Sequence, residues 1–331
     1  MTVATTVREL PARTLRHLLL ALSRRRVLGR VATRVPLTRP MVGRFVAGEG
    51  LDDAVGALAK LQAAGFGTTV DVLGESVVRA DQADVAVEAY LQTLEALAAR
   101  GLDRNVSLKL TQMGLDLDPA ACRANVERVF RRAAEIGAFV RIDMEDHTKT
   151  DATLALWREL RAVNPSSGVV IQAALRRSVA DVDALIAERA PIRLCKGAYS
   201  EPAAVAWQER ADVDRAYVEL MERLLVEGEH PAIATHDERM HRRAIDFARR
   251  TGIGPERFEF QMLYGVRRDL QQRLVRDGWT VRIYTPYGHE WYPYFMRRLA
   301  ERPSNVAFVL RSVLREGRGP GIEKPPEAPA A

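Results

Sequence analysis

The segment GAFVRIDMEDHTKTDATLALWREL, from Gly137 to Leu160, contains the pattern that decides the fold. Its first part, Phe139–Met144, is a short run of aromatic and β-branched residues, which is typical of a buried strand. Its second part, from Asp151 onward, has apolar residues at helical spacing. The segment therefore predicts a β-strand followed by an α-helix.

The same strand-then-helix pattern repeats along the chain after residue 50. The eight strand candidates are Gly67–Val72, Val106–Leu110, Phe139–Met144, Val169–Ala173, Ile192–Cys195, Ala232–Thr235, Phe258–Met262 and Val281–Tyr284. The helix candidates that alternate with them are Asp81–Ala99, Pro119–Ile136, Asp151–Val163, Val179–Glu188, Asp212–Glu227, Glu238–Arg250, Val266–Asp277 and Pro293–Glu301. Asp118 is expected to cap the second of these helices.

Eight strand–helix units predict an α/β protein with a (βα)8 TIM-like barrel and N-terminal helices. An open doubly wound sheet would also alternate strands and helices. It usually carries a glycine-rich phosphate loop after a strand, and neither G-x-G-x-x-G nor G-x-x-x-x-G-K-[ST] occurs in that position.

Composition places the chain among ordinary globular proteins. With 331 residues, 47% of them hydrophobic, it can bury a sizeable core. Its two cysteines, Cys122 and Cys195, argue against a disulfide framework and suit a reducing, cytoplasmic compartment; we interpret Cys195 as a small buried apolar residue. His236 and His241 are five positions apart, off one helical face, so we expect no metal. No apolar run approaches the roughly 20 residues of a membrane span.

The basic charge of the chain is concentrated at its beginning. Residues 1–48 contain ten arginines and a single acid, Glu9, whereas the whole chain has a formal net charge of only +6. Four leucines stand among these arginines at helical spacing: Leu15, Leu18, Leu19 and Leu22. Such a helix can lie on an anionic membrane surface, as a peripheral contact at the inner membrane face, or pack its leucines on the protein body. An arginine-rich, acid-poor start also resembles a transit peptide. No interleaving of aromatic and basic residues supports nucleic-acid binding.

These features divide the chain into three parts. Residues 1–50 are predicted to form a basic helical N-terminal extension, and residues 51–315 the catalytic barrel. Residues 316–331 are rich in proline and glycine and are predicted to be disordered.

Polar side chains follow most of the predicted strands. In this type of barrel the active site lies at the carboxyl ends of the strands. The polar residues found there are Lys109, Asp143, Gln172, Arg193, Lys196, Tyr199, Thr235, His236, Gln261 and Tyr284. Their convergence predicts a large polar pocket. Lys109 is expected to face the interior and to pair with Asp143, either in the active site or as a purely structural ion pair. Gly197 either forms a tight turn or allows the backbone to approach a ligand closely.

The last predicted helix carries an arginine doublet in aromatic company, within YGHEWYPYFMRRLAERPSN (Tyr287–Asn305). Tyr294, Arg297 and Arg298 are spaced i, i+3 and i+4, so they share one helix face. Two adjacent guanidinium groups suit a carboxylate or a phosphate. Other arginine doublets occur in this chain, so the distinguishing features here are the aromatic residues and the position after Tyr284.

Five motifs resemble, in order and spacing, those of the proline dehydrogenase family. They are RLCKGAY (193–199), ATHDE (234–238), EFQMLYG (259–265), RIYTPYG (282–288) and YPYFMRRLAERPSN (292–305). The resemblance extends from about Gly67 to Arg311, and the chain length is similar to that of the monofunctional bacterial form. It implies a distorted (βα)8 barrel that binds FAD. It also implies oxidation of L-proline to 1-pyrroline-5-carboxylate, the first step of proline catabolism to glutamate, by hydride transfer to flavin N5.

The resemblance further implies roles for individual residues and partners. The expected catalytic residues are Asp143 and Arg193. The expected substrate-binding residues are Lys109, Tyr284, Tyr294, Arg297 and Arg298. The expected cofactor-binding residues are Met144, Gln172, Arg193, Lys196, Gly197, Ala198, Tyr199, Thr235, His236, Gln261 and Glu301. The expected partners are a quinone electron acceptor in the membrane and a 1-pyrroline-5-carboxylate dehydrogenase.

Two other functions are compatible with the same residues. One is a Schiff-base lyase or aldolase on a (βα)8 barrel that uses Lys109 or Lys196 as nucleophile and the arginines to bind a phosphate. The other is a non-enzymatic protein that binds membrane surfaces, in which the polar strand ends would be dispensable.

Overall fold

Eight parallel strands close into a barrel in the computed structural model, which describes residues 43–74, 77–292, 294 and 296. The strands are β1 (Gly67–Val72), β2 (Asn105–Leu108), β3 (Phe139–Ile142), β4 (Ser167–Gln172), β5 (Ile192–Cys195), β6 (Ala232–Ala234), β7 (Glu259–Leu263) and β8 (Val281–Tyr287). Each strand pairs with the next in chain order, and β8 pairs in parallel with β1. The (βα)8 TIM-like fold predicted from the sequence is confirmed.

A helix follows each of the first seven strands. The helices are α1 (Leu51–Ala63), which precedes β1, then α2 (Ala80–Ala99), α3 (Pro119–Glu135), α4 (Thr150–Leu160), α5 (Ser178–Ala187), α6 (Arg210–Glu227), α7 (Glu238–Thr251) and α8 (Arg268–Arg276). A short 3-10 helix, His147–Lys149, leads into α4. The seven predicted helices between strands are present, with shifted ends. In the part of the chain that the structure describes, no helix is long and apolar enough to cross a bilayer.

Several predictions concern residues outside the described part of the chain. These include the basic helix within residues 1–42, the tail 316–331 and most of the predicted helix Pro293–Glu301. Residues 43–50 are described and form turns and irregular backbone before α1.

The start of α3 shows how local sequence sets an element boundary. The Asp118 carboxylate accepts hydrogen bonds from the backbone amides of Ala120 (2.8 Å) and Ala121 (3.2 Å). Pro119 occupies the first helical position, where its missing N–H has no intrahelical partner to lose. The predicted cap is confirmed.

Substituting Asp118 with alanine is expected to lower the free energy of unfolding by about 1 kcal/mol, because two amides of α3 lose their acceptor. Chemical denaturation of the purified protein measures this change. Asp118→Asn is the control, since asparagine also caps helices and should cost only a fraction of that amount. Equal losses in both variants would contradict the capping role.

The interior of the barrel is polar, which is unusual because branched apolar residues normally fill it. Apolar strand residues such as Leu108, Ile142, Leu194 and Phe260 are buried in the hydrophobic core. Buried polar or charged residues alternate with them along the strands: Thr69, Asp71, Ser107, Arg141, Arg193, Glu259 and Gln261. Arg282 and Tyr284, in β8, are half-buried. Buried charges are costly unless they are paired, so this interior depends on its ion pairs.

Candidate active site

Four charged or phenolic side chains meet at the carboxyl ends of the strands. Lys109 comes directly after β2 and Asp143 directly after β3, while Arg193 lies in β5 and Tyr284 in β8. The Asp143 carboxylate accepts from Arg193 Nη1 (2.6 Å), Tyr284 Oη (2.7 Å) and Lys109 Nζ (3.3 Å). The predicted Lys109–Asp143 pair is therefore present, and it belongs to a larger cluster.

Asp143 remains an anion despite its burial. Burial is the largest influence on its pKa and acts to raise it, but the charges of Lys109 and Arg193 and the hydrogen bond from Tyr284 outweigh it. The net effect is a pKa below the usual value for aspartate. The carboxylate thus acts as the acceptor that orients two cations and a phenol.

Tyr284 is held as a neutral phenol. Burial raises its pKa well above the usual value, and the negative charges of Asp143 and Asp71 raise it further. The hydroxyl donates to Asp143 and accepts from Lys109 Nζ at 3.2 Å. The Arg193 guanidinium lies 5.1 Å from the centre of the Tyr284 ring, so this ring is fixed from two sides.

Asp71, in β1, is a member of the cluster that the sequence analysis missed. Its side chain is 2% exposed, and its Oδ1 accepts from Lys109 Nζ at 3.1 Å. Lys109 therefore donates to Asp71, Asp143 and Tyr284. Asp71 stands within the strand sequence GTTVDV and not at its end, and there it alternates with the valines on either side.

Arg193 is anchored by three different acceptors. Besides the contact to Asp143, its Nη2 donates to Ser107 Oγ at 2.9 Å and its Nε donates to the Gln261 amide oxygen. Gln261 was expected to contact the cofactor, but both ends of its amide are engaged inside the barrel, since the NH2 donates to Glu259. Ser107 and Glu259 were not predicted.

A second cluster surrounds Lys196, just after β5. Its ammonium donates to Asp214 and, at 2.9 Å, to Asp237. The next residue, Gly197, is exposed and has a φ of 106°, a conformation that favours glycine. An added Cβ would lie 3.1 Å from Ala174 Cβ and 3.4 Å from the Gln172 amide oxygen. The backbone conformation and the close packing against Ala174 and Gln172 therefore both favour glycine at this position.

The remaining predicted cofactor residues line the same end of the barrel or its rim. The His236 Nε2 accepts from the Leu263 amide at 2.9 Å, which places the ring proton on Nδ1. Thr235 and Met144 are buried, whereas Ala198 and Tyr199 are exposed. Tyr294 is 6% exposed. Arg297, Arg298 and Glu301 lie outside the described residues.

A cavity of about 510 Å³ opens at the opposite, amino-terminal end of the strands. Its lining includes Arg282, Glu259 and Asp103. The Arg282 guanidinium donates hydrogen bonds to both carboxylates, so the three charged groups are paired. Because catalytic residues of such barrels lie at the carboxyl end, we do not assign the active site to this cavity.

The two lysines and the cysteine that could act as nucleophiles in other reactions are not in environments that would activate them. A Schiff-base lysine must offer a free amine in an apolar pocket, but Lys109 and Lys196 are each bound by two carboxylates. Burial raises the pKa of Cys195 to about 11, which disfavours the thiolate. The geometry thus supports binding and orientation of a polar substrate and gives no support to the lyase.

Comparison with known proteins points to a single family. A family model described as "Proline dehydrogenase" matches residues 54–311. "Proline dehydrogenase 2" from Bacillus subtilis is 38% identical over 279 residues, which cover 84% of this chain and 92% of the relative. "Proline dehydrogenase" from Deinococcus radiodurans is 41% identical over 277 residues, or 82% of this chain and 89% of the relative.

A solved structure shares the fold. Proline utilization A (PutA) from Bdellovibrio bacteriovorus, inactivated by N-propargylglycine, superposes with a TM-score of 0.74 and 28% identity. The match covers 84% of this chain but 34% of the PutA chain, so the present chain spans about a third of that protein. Together with the match over most of its length to the family model, this shows that the chain belongs to the proline dehydrogenase family.

Proposed function

We propose that the chain oxidises L-proline to 1-pyrroline-5-carboxylate with FAD as its cofactor and passes the electrons to a membrane quinone. The observation that carries this proposal is the Lys109–Asp143–Arg193–Tyr284 cluster at the catalytic end of a barrel that belongs to the proline dehydrogenase family. Members of this family generally use a flavin.

The residues around the cluster suit a flavin in their chemistry. Gly197 has no side chain that would hinder a ligand, and polar groups stand at the carboxyl ends of β4, β5 and β6, namely Gln172, Lys196, Thr235 and His236. These residues, with Met144, Ala198, Tyr199, Gln261 and Glu301, are proposed to hold the cofactor. When bound, the flavin supplies the acceptor for the hydride that leaves the carbon beside the proline nitrogen. Arg193 provides a buried positive charge that would favour the reduced, anionic cofactor.

The protein's own part in the reaction is to bind and orient proline and to exclude water. Arg297 and Arg298 are proposed to bind the proline carboxylate, with Lys109 nearby. Tyr284 and Tyr294 are proposed to pack against the proline ring. Asp143 keeps Lys109, Arg193 and Tyr284 in their positions through three hydrogen bonds.

The electron acceptor and the partner enzyme are further parts of the proposal. A basic N-terminal segment supports contact with an anionic membrane surface, where a quinone would be reached; liposome co-sedimentation tests that contact. PutA relatives support a 1-pyrroline-5-carboxylate dehydrogenase as a channelling partner.

The experiment that tests the reaction is anaerobic addition of L-proline to the purified protein. We expect visible flavin absorption that proline bleaches. A colourless protein, or a flavin that proline leaves oxidised, would overturn the proposed function.

Arg297→Met is expected to raise the KM for proline about 10- to 100-fold, because it removes a charge-assisted hydrogen bond to the carboxylate. Steady-state kinetics and thermal unfolding should be measured together. Arg249→Met, in an exposed doublet on α7, is the matched control and should leave KM unchanged. Normal proline kinetics in Arg297→Met would contradict the assigned role.

A further inference from the structure

Glu259 is a buried carboxylate at the far end of the barrel from the candidate active site. It begins β7 and is 3% exposed. Its two oxygens accept from Arg282 Nε at 3.0 and 2.9 Å, and the same carboxylate accepts from the Gln261 amide. The reaction proposed above gives it no direct part, and it is not among the predicted site residues.

A continuous line of hydrogen bonds joins Glu259 to the active-site cluster. Glu259 accepts from the NH2 of Gln261, and the amide oxygen of Gln261 accepts from Arg193 Nε. Arg193 then donates to Asp143 at 2.6 Å. The line runs through the polar interior of the barrel, where no apolar side chain separates these groups.

The Gln261 amide has only one orientation that satisfies both neighbours. A carboxylate can only accept, so the NH2 must face Glu259; a guanidinium can only donate, so the oxygen must face Arg193. Glu259 remains ionised, because the charge of Arg282 and the bond from Gln261 outweigh the burial that would raise its pKa. The carboxylate therefore sets which end of the amide Arg193 meets.

We infer that Glu259 is a positioning residue for proline oxidation, which acts through Gln261 to hold the Arg193 guanidinium in its catalytic orientation. The inference rests on the proposed role of Arg193 beside the flavin. It extends the machinery of the reaction to the opposite end of the barrel.

Glu259→Gln tests this with a nearly isosteric change. Glu259 Oε1 accepts from both Gln261 and Arg282, whereas Oε2 accepts from Arg282. In Glu259→Gln an NH2 replaces one of these oxygens and faces a donor, and the oxygen that remains carries no charge. The hydrogen bond that fixes the Gln261 amide is therefore weakened from a charge-assisted to a neutral one, or is lost, and Gln261 holds Arg193 Nε less firmly.

We expect kcat in Glu259→Gln to fall about tenfold with the KM for proline changed less than twofold, since Arg193 and not the substrate-binding groups is displaced. The flavin reduction potential should also become more negative, because the cation is less well placed near the reduced cofactor. The flavin-loaded protein is used for both measurements.

Asp103→Asn is the matched control. Asp103 is the other carboxylate that binds Arg282, and it has no contact with Gln261 among those of the described residues. This variant should lower thermal stability while kcat and the flavin potential stay at wild-type values. If Asp103→Asn reproduces the kinetic effect of Glu259→Gln, general weakening of the Arg282 pair explains both and the inference is wrong.

A double-mutant cycle with Gln261→Met tests whether Glu259 acts on Arg193 through Gln261. Gln261→Met alone should reproduce the loss of kcat, and Glu259→Gln should add little in that background, because the connecting amide is already gone. Full additivity would overturn the inference. If Glu259→Gln does not fold, Gln261→Met still decides, since wild-type kcat and potential in that variant would also overturn it. Failure of the proposed function is distinguishable, because then the wild-type flavin itself would not respond to proline.

Discussion

Replacing Asp143 by alanine is expected to lower kcat/KM for L-proline by about a hundred- to a thousandfold. The substitution removes one acceptor from three donors, namely Lys109, Arg193 and Tyr284. Hydrogen bonds to charged groups are worth about 1.5–3 kcal/mol each, and each 1.4 kcal/mol corresponds to a factor of ten in rate. Misplacing two of the three donors is enough for the expected loss, which steady-state kinetics would measure.

The same variant is expected to be less stable by about 3–5 kcal/mol near neutral pH, because the buried Arg193 and the partly buried Lys109 each lose a partner. The folded-state pKa of Asp143 is lowered, so its contribution is present above the unfolded pKa of about 3.9 and is lost as the pH falls through the folded value. Denaturation at several pH values should show the difference from wild type shrinking below about pH 4.

Asp116→Ala is a suitable control, since Asp116 pairs with Lys149 in a partly exposed salt bridge. Surface pairs contribute about 0–1 kcal/mol, and activity should be unaffected. An Asp143→Ala protein with wild-type kcat/KM would refute the orienting role of the carboxylate.

The fold was predictable because its signals are local. The switch from short β-branched runs to helical spacing identified all eight strands; β1 and β5 have the predicted bounds, and the ends of the other strands differ by at most three residues. Helix α1 was missed even though Leu58 and Leu61 on its buried face have helical spacing and Asp52 stands in its first turn. This helix precedes the first strand and so stands outside the strand–helix repeat.

The candidate site was predictable where a polar residue ends a strand or stands in a family motif. Lys109 and Asp143 follow their strands, whereas Arg193 lies within β5 and was identified through the motif RLCKGAY; the cluster that the three form is present. Asp71 and Ser107 were missed because they stand within strands, at paired positions of β1 and β2. Period-two alternation could have flagged Asp71 as facing the interior.

The contacts between inward-facing side chains of different strands depend on closure of the sheet. The stagger of the strands decides that Lys109 lies within reach of Asp71, and that Arg193 reaches Ser107 across the barrel. No local pattern contains this stagger, which is a property of all eight strands together. The sequence could therefore suggest which residues face inward but not which of them meet.

The charge balance of the interior follows from that arrangement. Asp71 and Asp143 offset Lys109 and Arg193 at the catalytic end, while Glu259 and Asp103 offset Arg282 at the other. Arg141 lines the cavity at the amino-terminal end, and burial, followed by the positive charge of Arg193, lowers its pKa to about 9. These pairs fix the orientation of the polar groups inside the barrel. The stability of the fold depends on them, because breaking one leaves a buried charge without a partner.

Lys109→Met is expected to lower kcat/KM for proline about 10- to 100-fold and to destabilise the fold, for two separable reasons. The loss of activity follows from the missing ammonium near the proposed substrate carboxylate. Asp71 and Asp143 both pair with Lys109 in the wild type. Without this ammonium the two buried carboxylates repel each other, and this repulsion lowers the stability.

The double variant Lys109→Met/Asp71→Asn separates these two effects. It removes one of the two negative charges, so thermal unfolding should return most of the way toward wild type. Proline turnover should remain as low as in Lys109→Met, because neutralising Asp71 does not restore the cation. If the double variant regains both stability and turnover, Lys109 serves only to balance the charge of Asp71 and has no role at the substrate. If it regains neither, the methionine itself disturbs the barrel, and the position of the ammonium among Asp71, Asp143 and Tyr284 is not what governs stability.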